Sequence, residues 1–108
     1  MRAFTVTLRS PESPFWLTVI GNHLRGLPNV RVGNDDHLVL MEKVGTVLVE
    51  RGGDFLRISA VGDTERELAA ARAALTVEIA TAVPELAEGR RLSLEWGVPA
   101  AVPQALRA

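Results

Sequence analysis

Two histidines, His23 and His37, and the acidic pair Asp35-Asp36 are the residues of this chain best suited to acid–base or metal chemistry. Imidazole titrates near neutrality and ligates borderline metals, and carboxylates complete many such sites. One reading is therefore a metal-binding protein or enzyme centred on His23, His37, Asp35 and Asp36, although their spacing follows no established ligand pattern. The competing reading is that Asp35 and Asp36 bond their own backbone in a turn, with His37 solvated beside them.

Arginines offer a second kind of chemistry. Arg90 and Arg91, together with Arg25 or Arg31, could clamp a carboxylate or phosphate through bidentate hydrogen bonds. Against this, two adjacent arginines after Glu88 also serve to solubilise an exposed loop. The ligand-binding candidates are thus His23, Arg25, Arg90 and Arg91, and the metal candidates His37, Asp35 and Asp36. No catalytic residue emerges. The serines, Ser10, Ser13, Ser59 and Ser93, do not lie in a glycine-flanked elbow between a strand and a helix. Gly52-Gly53 joins two strand-like segments, whereas a phosphate cradle needs a glycine-rich loop leading into a helix. The absence of cysteine excludes disulfides, thiolate zinc sites, iron–sulfur clusters and a cysteine nucleophile. No cofactor is implied.

The elements that must carry these groups follow from periodicity. Phe4, Val6 and Leu8 alternate with Thr5 and Thr7, the period of a half-buried strand. Ser13-Pro14 starts a helix that Gly26 and Pro28 stop, and Trp16, Leu17, Ile20 and Leu24 form its apolar stripe. Short valine- and leucine-rich strands are expected near 29–32, 37–42, 46–51 and 54–61. They are separated by turns at Gly33 to Asp36, at Glu42 to Gly45, and at Gly52-Gly53, where a type I′ turn is expected. Thr64 and Glu67 have capping-box spacing, and Leu68, Ala71, Leu75, Ile79 and Ala82 mark a second helix ending before Pro84. After a linker from Glu85 to Gly89, Leu92, Leu94 and Trp96 alternate with Ser93 and Glu95 in a last strand. Glu42, Glu50, Glu95, Arg31, Arg51 and Arg57 are expected to form cross-strand charge pairs on the open sheet face.

The order β-α-β-β-β-β-α-β predicts an α+β two-layer sandwich, with a mainly antiparallel sheet and two helices on one face. A single domain over 1–97 and a draped or frayed tail over 98–108 are expected. The chain of 108 residues is 47% hydrophobic and 23% charged, an ordinary globular composition. Twelve basic residues against 13 acidic ones, a net charge of -1, leave no electrostatic footprint for nucleic acid or an anionic membrane surface. No signal-peptide core and no run of about 18 apolar residues occurs, so a cytoplasmic location is expected.

Within this framework Leu17, His23, Pro28, Val30 and Val32, followed by the alternation of Leu92, Leu94 and Trp96, resemble a family of uncharacterised bacterial domains. That family is found beside, or fused to, siderophore-interacting proteins of the ferric-reductase type. The likeness runs from the first strand to Trp96. The family carries a second histidine three residues after the first and then a lysine; Gly26 and Leu27 stand there, which weighs against a paired-histidine metal role. The resemblance implies a small accessory domain in iron or siderophore handling, with no catalytic residues to transfer.

The expectation is thus a non-enzymatic binding or accessory module that meets a protein partner or small ligand through its open sheet face or a cleft near His23. The alternatives are the metal protein or enzyme described above and a homodimer formed through an exposed strand or sheet face.

Overall fold

The computed structural model describes residues 1–9, 15–82, 93–99 and 101–107. The expected Ser13-Pro14 cap, the Glu85 to Gly89 linker, Leu92, Arg90 and Arg91 lie outside them.

The alternation in the first segment produces β1 (Arg2–Arg9), in which Val6 and Leu8 are fully buried. Then follow α1 (Phe15–Arg25), β2 (Asn29–Arg31), β3 (Asp36–Met41), β4 (Gly45–Arg51), β5 (Phe55–Gly62), α2 (Glu65–Ala82) and β6 (Ser93–Gly97). The strands form one antiparallel sheet in the order β2-β3-β4-β5-β1-β6. The chain is α+β with the expected order of elements.

Register decides which residues share a face. Val6 lies opposite Ile58, Ile58 opposite Val49, and Val47 opposite Val39. This face packs with Leu17, Ile20 and Leu24 of α1 and with Ala71, Leu75 and Ile79 of α2 in one core, so both helices cover the same side. His23 of α1 meets Glu78 of α2, Nε2 to Oε2 at 3.0 Å, and ties the helices together. Both side chains are about a third exposed, 34% and 38%, so the pair contributes below about 1 kcal/mol. No helix is long and apolar enough to cross a membrane among the described residues.

Local chemistry sets the boundaries. The Glu67 amide donates to Thr64 Oγ1 at 3.1 Å, and Glu67 Oε2 accepts from the Asp63 amide at 2.6 Å, so the capping box closes one residue earlier than its usual reciprocal form. The β3–β4 hairpin closes through a turn over Glu42, Lys43 and Val44. It is followed by Gly45 at φ 90, the left-handed region that glycine enters without a Cβ clash.

The type I′ turn expected at Gly52-Gly53 is not formed. Neither glycine has positive φ, and the Gly52 amide donates to the Phe55 carbonyl at 2.9 Å, so the bend centres on Gly53 and Asp54. Gly52 is needed for space instead: a Cβ there would overlap the edge of the Phe55 ring.

The second sheet face is not wholly open. Leu48 and Ser59 face each other on it and are 6% and 1% exposed. The tail reaches this face: a 3-10 turn at Gln104–Leu106 packs on β4 and buries Leu106. Farther out, Val30, at 64% exposure, and Leu40, at 54%, remain bare.

Candidate functional site

A concavity of about 830 Å³ lies where β6 stops short of the start of β1. Thr5 pairs with Gly97, so residues 2–4 have β5 on one side and no β6 partner on the other. The first turns of α2 form one wall and the chain after Gly97 another, with Phe4, Leu68, Arg72, Trp96, Pro99 and Val102 among the lining residues. Its volume lies within the ~300–1,000 Å³ typical of small-molecule sites.

Trp96 organises this groove. Pairing of Val6 with Trp96 turns the indole toward the helix-covered face, where it stacks on Phe4 at 5.9 Å between centroids. Because β6 is the sheet edge, Trp96 is half-buried and one ring face remains for Arg72, whose guanidinium carbon lies 4.5 Å from the ring centroid. The ring quadrupole attracts and orients that cation. Arg2 and Glu65 on the rim pair with each other. Arg72 has no carboxylate within ion-pair distance among the described residues, so the groove combines apolar walls with one uncompensated, pre-oriented positive charge.

A second, smaller cavity of about 130 Å³ lies between α1 and the β3–β4 end of the sheet, and gathers residues that the sequence marks for different chemistries. Arg25, Asp35 and His37 all line it, together with Arg51. Arg31 holds the preceding turn, its Nε donating to the Gly33 carbonyl at 2.8 Å and its Nη2 to the Asn34 carbonyl at 2.6 Å. Arg51 Nη1 donates to the carbonyls of Gly52 and Phe55 at 2.8 and 3.1 Å, so Arg31 and Arg51 brace turns rather than pair with glutamates across strands.

The four-residue centre of His23, His37, Asp35 and Asp36 does not assemble. His23 is turned toward Glu78 on α2, and the pleat puts Asp36 on the sheet face opposite to His37. Among the described residues no group of three or more histidine or carboxylate side chains is placed to hold a metal ion. His23 lines neither of these two cavities; a third concavity, about 530 Å³, is lined by its partner Glu78 together with Met41, Val44 and Val77.

Arg72 and Trp96 were not legible as partners. Arg72 reads as a solvated position on the helix wheel, and Trp96 as one member of a strand alternation. Only the pairing of β6 with β1 carries the indole beneath α2. No protein-family model and no curated protein matches this chain.

Proposed function

We propose that this chain is a small non-enzymatic binding module, and that its ligand is an organic anion with an apolar or planar body held in the groove at Trp96. The observation that carries this reading is the Arg72 guanidinium laid over the Trp96 ring inside a groove of about 830 Å³, with no carboxylate partner among the described residues. The ring and the walls would take the apolar body, and the guanidinium the charged end. A ferric tris-catecholate siderophore, with three dianionic catecholates around Fe3+ and a net charge of about -3, is an anion of this description. The iron-linked role implied by the family resemblance attaches at this point, as part of the same proposal.

The test uses the fluorescence of Trp96 in a Trp16→Phe background, titrated separately with 8-anilinonaphthalene-1-sulfonate and with a ferric tris-catecholate. Saturable quenching is expected, weakened by about tenfold in Arg72→Ala. Quenching that never saturates, or that Arg72→Ala leaves unchanged, overturns the reading. Saturation by the dye alone removes the iron-linked version and keeps the binding module.

A second reading has its own observation. β2 is an edge strand that carries Val30 at 64% exposure, and Leu40 beside it on the same sheet face is 54% exposed. An uncovered apolar edge of this kind favours pairing between two copies of the chain.

A further inference from the structure

We infer that the cavity beneath α1 is a binding site for a small oxyanion that also carries a hydroxyl, monohydrogen phosphate being the simplest member of the class. It is separate from the Trp96 groove and shares no lining residue with it. Arg25 and Arg51 bring two permanent positive charges to its wall, Asp35 one negative charge, and His37 an imidazole. Guanidinium groups match the oxygens of phosphate and carboxylate with paired donors. Asp35 is an acceptor among these donors. It repels an ion that offers only acceptor oxygens and accepts from one that keeps a hydroxyl, so the set favours hydrogen phosphate over sulfate.

Gly21 is the independent sign that this space is kept open. It sits inside α1 and lines the cavity, yet a Cβ added there would meet nothing within 4 Å. Glycine in a helix interior costs about 1 kcal/mol relative to alanine. Neither packing nor backbone angle requires it here, and any longer side chain would grow into the cavity. A local choice that opposes helix stability without a packing reason is what a binding site produces. The volume, about 130 Å³, admits a phosphate group or a short hydroxycarboxylate.

Calorimetric titration of the full chain with inorganic phosphate, sulfate and acetate tests the assignment. Phosphate is expected to bind at least about tenfold more tightly than sulfate or acetate. Arg25→Gln, at an exposed helix end, should weaken phosphate by about tenfold and leave the circular dichroism spectrum unchanged. Asp35→Asn should bring sulfate level with phosphate. Gly21→Leu should abolish binding while Gly21→Ala retains it; if the leucine variant fails to fold, Arg25→Gln and Asp35→Asn decide. Equal affinities for the three anions, no heat with any of them, or phosphate binding indifferent to Arg25→Gln would overturn the site.

Discussion

Gly21, Gly45 and Gly52 stand at three different kinds of position, and substitution should separate them. Gly45 at φ 90 cannot accept a Cβ without strain, so Gly45→Ala is expected to cost about 1–2 kcal/mol in urea unfolding. Gly52→Ala should cost about 1–3 kcal/mol for another reason, since the Phe55 ring must move aside. Gly21→Ala should stabilise by about 0.5–1 kcal/mol, because the new methyl group enters open space in a helix. A loss on Gly21→Ala would show that the position is packed after all. At Gly52 the dipeptide signalled a hairpin correctly, but which property of glycine was needed was not legible. The Phe55 ring that demands the space is only three residues along the chain, but the dipeptide does not show which way that ring lies.

Among the elements, the tail, expected to be draped or frayed, contains a short 3-10 turn that contacts β4. Gln104–Leu106 is too short to show periodicity and follows prolines that read as loop, yet it packs on β4 and buries Leu106. Leu106→Ala is therefore expected to lower unfolding free energy by about 2 kcal/mol, and an unchanged value would show that the turn does not hold β4. Ser59→Ala should be neutral or stabilising by up to about 1 kcal/mol. Its buried Oγ has no hydrogen-bond partner among the described residues, and the substitution removes a group whose burial is uncompensated. The helices differ in this respect. The stripes at Leu17, Ile20 and Leu24 and at Ala71, Leu75 and Ile79 were visible because each is a local repeat buried along its whole length.

For the molecule as a whole, a radius of gyration of 13.0 Å agrees with the ~13 Å of a compact domain of this length. The proposed pairing of two copies at the β2 edge is tested at this scale. If two copies pair there, sedimentation should give twice the chain mass and Val30→Lys should return the monomer; a monomer at all concentrations removes that reading. Periodicity, the Thr64 cap and turn residues sufficed for the order of elements, the α+β class and the buried stripes of β1 and the two helices, because these depend on neighbours within a few residues. The meeting of Arg72 with Trp96, the separation of His23 from His37, and the gathering of Arg25, Asp35, His37 and Arg51 around one cavity were decided by strand order and register. Those are contacts between distant parts of the chain, and no spacing along it encodes which of two faces, or which neighbouring strand, a side chain will meet.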